Sequence, residues 1–227
     1  MTSRGGDSMT ILEAIEQRHS VRQYEDKPIE PELAAKLNEE IEAVNRESGL
    51  HIQMFLEEPE AFQANKSSYG QFSGCRNYFA IVGKKGMDEE VGYYGQRLVL
   101  FAQQLGLNTC WVAMTYKKGK VVPQIGDGEK MYIVIALGYG KTQGQSHKMK
   151  SIAAVSDQTE ESPEWYRRGI RAALLAPTAV NQQKFRFTRN GDKVSVRAGL
   201  GFYTKIDLGI VKYNFEAAAG KENFSWE

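Results

Sequence analysis

Arg18-His19-Ser20-Val21-Arg22 closes a short amphipathic segment and sets two guanidiniums and a hydroxyl at alternate positions. In an extended chain, residues two apart face the same side, so Arg18, Ser20 and Arg22 would converge on one anion. A phosphate suits that point, because a guanidinium pairs with phosphate oxygens through two hydrogen bonds and keeps its charge. The other reading of the same five residues is a set of cations at a helix end, complementing the helix dipole and facing water.

Upstream, Thr10 and Glu13 have the spacing of a capping box ahead of Ile11, Leu12 and Ile15, which predicts a first helix ending near Arg18. Residues 1–8 read as a flexible leader. Downstream, Pro28-Ile29-Glu30-Pro31 starts a second helix with Leu33, Leu37, Ile41 and Val44 along one face. Residues 56–74 are polar and loop-like, and a long loop beside the buried strand expected at 78–83 often covers a site. Residues 92–105 are apolar on nearly every turn, so this helix should be central, ending at Gly106. Strands follow at 109–113 and 131–137, then a Gly-, Lys- and Ser-rich connector to about residue 162.

The second half opens with Ser162-Pro163 capping a helix that stops at Pro177. Residues 185–188 and 193–197 flank Asn190-Gly191, a strong hairpin signal, and a last helix spans about 208–219. Helices and strands mix without regular alternation, so the class is α+β rather than a doubly wound sheet.

Composition narrows the function. With 41% hydrophobic and 25% charged residues and a net charge of +1 over 227 residues, the chain has no strongly basic surface to imply nucleic acid. No apolar run is long enough to span a bilayer, and the first residues lack a signal-peptide core, which makes the cytoplasm the default location. Cys75 and Cys110 are too few for a disulfide framework, and His19, His51 and His147 are scattered, so no metal site is expected. No Gly-x-Gly-x-x-Gly or Walker loop follows a strand, and Gly138-Tyr139-Gly140-Lys141 reads as a turn. Tyr69, Phe72, Tyr93, Tyr94 and Trp111 have spacings of core aromatics rather than of a stacking platform.

Three separated segments then act together. Arg18-His19-Ser20-Val21-Arg22, Gly106-Leu107-Asn108-Thr109-Cys110-Trp111 and Ala176-Pro177-Thr178-Ala179-Val180-Asn181-Gln182-Gln183, each after a helix, resemble the nitroreductase family. The resemblance runs from Met9 to the last helix and implies one nitroreductase-like α+β domain over 9–227, with non-covalent FMN. It also implies NADH or NADPH as transient reductant and a small acceptor such as a nitroaromatic or quinone. Carried over by position, Arg18, His19, Ser20 and Arg22 match contacts to the FMN phosphate and ribityl chain. Thr178, Asn181 and Gln183 match residues reaching the flavin ring, where an amide offers both donor and acceptor. Lys148 and Lys150, within His147-Lys148-Met149-Lys150, match a late pair of cations near the phosphate, although a solvated basic loop reads equally well. No catalytic side chain is assigned, since the cofactor carries the chemistry.

The chain departs from the family in two ways. The acidic-glycine pair common near the reactive flavin nitrogen is absent from Cys110-Trp111-Val112-Ala113. The amide-rich signature that normally follows the second helix comes only at 176–183, where residues 47–53 hold Glu-Ser-Gly-Leu-His-Ile-Gln. Gly209, Phe215 and Gly220 repeat the intervals of Gly95, Phe101 and Gly106, which suggests an internal duplication with repeats at about 31–140 and 162–227. Ordinary members are homodimers with flavin at the interface, so this chain is expected to be a monomeric pseudo-dimer or a homodimer. The rival reading is a degenerate relative that keeps the fold, and with it flavin binding or sensing, without turnover.

Overall fold

The capping box forms as the spacing predicts: Thr10 Oγ1 accepts from Glu13 N at 3.2 Å, and Glu13 Oε2 accepts from Thr10 N at 2.7 Å. It starts α1 (Ile11–Gln17), whose Ala14 and Ile15 pack with Leu100, Ala172 and Ala218. The first helix therefore docks where three later helices meet, and Arg18 emerges at that junction. The computed structural model describes residues 8–63 and 71–227. Most of the expected leader, part of the 56–74 loop and Tyr69 lie outside the described residues.

Helix α2 (Pro31–Ser48) buries Leu37, Ile41 and Val44 and ends at Gly49, whose φ of 73° supplies the left-handed cap. It leads into β1 (His51–Phe55), an edge strand not expected from the sequence. Strands β2 (Asn77–Lys84), β3 (Asn108–Val112) and β4 (Glu129–Gly138) complete a four-stranded antiparallel sheet in the order β1-β2-β4-β3. Strand β2 reads as an unbroken apolar run because both its faces are covered. Phe79 and Ile81 join the helix-packed core, whereas Tyr78 and Ala80 pack with Tyr24, Phe62 and Phe72 on the other side.

The second half holds α4 (Ile152–Val155), α5 (Glu164–Leu175), β5 (Phe185–Asn190), β6 (Lys193–Ala198), α6 (Thr204–Ala219) and β7 (Ser225–Trp226). Strands β5 and β6 form the expected hairpin, with Gly191 at φ 65° in its turn, and β7 adds parallel to β6. The expected Ser162 cap of α5 is absent: Ser162 Oγ accepts from Thr159 N instead, and Pro163 occupies the cap position. The last helix begins earlier than expected, at Thr204, because Tyr203 enters it from a left-handed conformation.

Helix α3 (Asp88–Gln104) lies at the centre and crosses α6. Glycines permit the crossing: a Cβ on Gly92 would overlap Ile206 O, and a Cβ on Gly209 would overlap Glu89 O. The aromatics of this region are structural. Tyr93 packs edge-on against Tyr94 and Tyr213, Tyr94 donates to Glu47, and Trp111 Nε1 donates to Gln96 Oε1 at 3.3 Å. One core contains Ile81, Leu98 and Val99 together with Tyr166, Ile170, Phe187 and Phe215, so residues of both halves share it.

Candidate functional site

The segment leaving α1 is extended and threaded between three other strands of chain. Val21 N donates to Thr109 O at 3.1 Å, Tyr24 N to Ser73 O at 2.8 Å, and Lys141 N to Gln23 O at 2.9 Å. Ser20 bridges Thr109, and Tyr24 bridges Gly140. The Gly138 to Lys141 turn thus flanks this segment on one side. Burial raises the pKa of the nearby Cys110 thiol, and the charge of Arg22, a hydrogen bond from Ser20 and the charge of Arg18 act in the opposite sense, so all three lie within reach of it.

Arg18 is the unusual member of this group. Its residue is 3% exposed, Nη2 donates to Leu175 O at 3.3 Å, and Nε is buried without a hydrogen-bond partner. Burial brings its pKa down to about 10, and among the described residues no carboxylate acts on it; Cys110 acts in the opposite sense. Arg18 is the C-cap of α1 through its backbone N–H to Ala14 O, but its side chain does not face water as the alternative reading expected: it is buried against the last carbonyl of α5. His147 Nε2 meets the neighbouring carbonyl, Leu174 O, at 2.8 Å. His19 lies close enough for Arg18 and His147 to lower its pKa, after burial, which is the larger cause.

From His147 the connector runs directly into the second predicted group. Lys148 O accepts from Asn181 Nδ2 at 3.0 Å and from Gln183 Nε2 at 2.9 Å. Lys150 N donates to Gln183 Oε1 at 2.8 Å, and Lys150 Nζ to Gln183 O at 3.1 Å. Thr178 Oγ1 accepts from Gln183 N at 3.0 Å. Thr178, Asn181, Gln183, Lys148 and Lys150 are therefore one hydrogen-bonded unit, and His147 links it to Arg18 and His19. Arg22 and Ser20 lie on the Cys110 side of the same junction.

The loop at 178–183 is strained. Val180, Asn181 and Gln183 take φ of 46°, 54° and 44°, a region that non-glycine residues rarely enter. Asp207, in the first turn of α6, holds it there: Oδ1 accepts from Ala179 N at 2.9 Å and Oδ2 from Gln182 Nε2 at 2.7 Å. Gln182 Nε2 also donates to Phe202 O at 2.7 Å. Burial raises Asp207 to a pKa of about 6, against the lowering effect of the bonds from Ala179 and Gln182. Neither Asp207 nor Gln182 was singled out from the sequence. The signal in the sequence is an acid in the first turn of a helix, and its target lies some 25 residues away.

The remaining candidates stand apart. His51 Nδ1 pairs with Glu129 Oε2 at 3.1 Å on β1 and β4, remote in the chain from the other two histidines. Among the described residues no group of three metal-ligating side chains comes together, and no helix is long and apolar enough to cross a membrane. Where the family's acidic-glycine pair is missing, the chain after β3 runs through Met114, which is largely exposed, to Tyr116 beside Tyr203.

Comparison with known proteins adds to this geometry. A putative nitroreductase from Thermotoga maritima superposes with a TM-score of 0.66 at 23% identity, covering 95% of this chain and 86% of that one. A nitroreductase family protein from Streptococcus pneumoniae gives 0.51 at 15% identity, covering 66% of this chain and all of that one. A putative nitroreductase from Exiguobacterium sibiricum, solved in complex with FMN, gives 0.50 at 15% identity, covering 70% and 100%. No curated protein matches the chain. The fold is thus the α+β nitroreductase fold. The family model described as "Putative TM nitroreductase" matches residues 10–219, nearly the whole chain, and this protein belongs to that family.

Proposed function

We propose that this chain binds FMN non-covalently and acts as an oxidoreductase, with NADH or NADPH as transient reductant and a small electrophile of the nitroaromatic or quinone type as acceptor. The observation that carries this reading is the buried Arg18 guanidinium, which among the described residues has an unpartnered Nε and no carboxylate acting on it. A buried cation is ordinarily paired with an anion, so the site suits one that the chain does not itself supply. The FMN complex of the Exiguobacterium protein supports the choice of anion.

On this reading Arg18 and Arg22 balance the phosphate charge, Ser20 donates to it, and His19 lies alongside. Lys148 and Lys150 add positive charge from the connector. Thr178 and Asn181 present hydroxyl and amide groups to the ring edge, and buried Gln183, whose amide is taken up by Lys148 O, Lys150 N and Asn181 Oδ1, holds Asn181 in place. FMN supplies the hydride chemistry when bound, and the chain's part is to bind, orient and exclude water.

Arg18→Met tests the reading. Replacing a buried, unpaired cation by an apolar side chain of similar length should leave the fold intact. Losing a charge-assisted bond of roughly 1.5–3 kcal/mol should weaken FMN binding about ten- to a hundredfold. The measurement is a fluorescence titration with FMN, followed by the flavin absorption band on anaerobic addition of NADPH or NADH. A band that bleaches in the parent and weak binding in the variant are expected; unchanged affinity would overturn the site, and a bound flavin that never bleaches would favour the sensing role.

A further inference from the structure

Beside the candidate site, the outer face of the β5–β6 hairpin forms a groove of about 530 Å³. Its charged lining is Lys150, Lys184, Arg186 and Arg197, with no Asp or Glu. None of the four enters an ion pair among the described residues. Lys150, Lys184 and Arg186 each donate to one backbone carbonyl, of Gln183, Leu200 and Ala153 respectively, which aims the side chain without neutralising it.

Strand register makes this arrangement costly for the free protein. Arg186 stands directly opposite Arg197, so two guanidiniums share one face of the hairpin. Like charges in such a pair repel and destabilise a sheet. The next pair on that face, Thr188 opposite Ser195, is joined by a hydroxyl–hydroxyl bond of 2.8 Å. The inner face of the same hairpin is ordinary: Phe185 opposes Ala198 and Phe187 opposes Val196. A paired fork of guanidiniums is the geometry that recognises a phosphate dianion.

The groove shares Lys150 and Gln183 with the hydrogen-bonded unit described above, so its occupant would extend from the flavin site. In doubly wound dinucleotide-binding folds a carboxylate takes the 2′-hydroxyl of an unphosphorylated ribose and an arginine the 2′-phosphate, and the same charge logic holds on any scaffold. This lining has two arginines and no carboxylate. We infer that the groove binds the 2′-phosphorylated adenosine end of NADPH and makes the protein select NADPH over NADH. The inference rests on the oxidoreductase reading for its role in turnover, but the binding itself can be tested without flavin.

Calorimetric titration of the full chain with adenosine 2′,5′-bisphosphate and with adenosine 5′-monophosphate decides it. Saturable binding of the bisphosphate is expected, roughly tenfold or more tighter than the monophosphate, from the added charge-assisted bonds. The affinity should fall with added salt, and by roughly tenfold or more in R186Q/R197Q. That variant removes a cross-strand repulsion, so a melting temperature at or above the parent's would separate lost binding from lost folding. No saturable binding, equal affinity for the two nucleotides, or an unaffected double variant would each overturn the inference. A protein that binds the bisphosphate in this way yet takes up no FMN would uphold the groove and overturn the flavin reading. One that binds FMN and is reduced equally by NADH and NADPH, before and after R186Q/R197Q, would do the reverse.

Discussion

The two segments that flank the candidate site are built by opposite means. Between residues 18 and 24 the backbone does the holding, through bonds to Thr109, Ser73 and the turn at Gly140, and no residue has a positive φ. Between 178 and 183 side chains do it: Asp207, Thr178, Asn181 and Gln183 pin a loop in which three non-glycine residues are left-handed. Side chains in the first segment can therefore change charge without moving the chain, whereas those in the second cannot change without moving it. The first is a scaffold carrying charge, and the second is a strained clasp kept shut by its own polar groups.

This contrast stops at the centre, where α3 and α6 act as equivalents. Gly92 lies against Ile206 O and Gly209 against Glu89 O, each three residues before the other glycine. Gln96 donates to Asn214 at 2.9 Å, and the neighbouring Arg97 acts electrostatically on Tyr213. Such reciprocity is what a duplicated chain would give at its pseudo-dyad, and it supports the proposal of duplication. It pairs Gly209 with Gly92, however, three residues from the Gly95 register that the glycine-phenylalanine-glycine spacing suggested. Gly92→Ala and Gly209→Ala should each destabilise by about 3 kcal/mol or more, because the obstacle is a helix backbone that cannot give way. Urea unfolding measures both, and a large loss in one with none in the other would break the equivalence of the halves.

A second, smaller effect isolates the clasp. Burial raises Asp207 from 3.8 to about 6, so the folded chain holds this proton more tightly than the unfolded chain. Its contribution to stability is complete below about pH 3.8 and is lost as pH rises through about 6. The shift corresponds to at most about 3 kcal/mol, and to about 2 once residual solvent contact is discounted. Asp207→Asn should thus gain about 2 kcal/mol on the parent between pH 4 and pH 7 in urea titrations. Parallel profiles for the two proteins would remove Asp207 as the ionising element of the clasp. No comparable pH response is expected from Arg18, which stays charged over this range.

The same contrast explains what could be read from the sequence. Motifs whose partners are local were legible: the Thr10 and Glu13 cap, the apolar stripe of α2 and the alternation of β5 and β6 all encode their own geometry. Strand β1 was not, because His51 to Phe55 is short and paired only on one edge. Arg18 was legible as a cation at the end of α1, but its bond to Leu175 O spans 157 residues and nothing in its neighbourhood announces it. The bonds from Asp207 to Ala179 and Gln182 likewise exist only once the second half has folded. Local chemistry was visible, and the groups that aim it were not.

The smallest effect tests whether the clasp is strained or merely unusual. Val180 is β-branched, sits at φ 46° and is 86% exposed, so no packing compensates for its backbone conformation. A β-branched residue there costs of order 1–3 kcal/mol. Glycine adopts the same φ freely but loses more chain entropy on folding, which offsets part of the gain. Val180→Gly should therefore raise stability by about 1 kcal/mol. If the strain serves to hold Asn181 ready for a ligand, the same substitution should weaken FMN binding by a few fold while Tm rises. A rise in Tm with unchanged affinity would mean that Asp207 and Lys148 O orient its amide by themselves, whereas a fall in Tm would show that the left-handed turn at Val180 carries no strain to relieve.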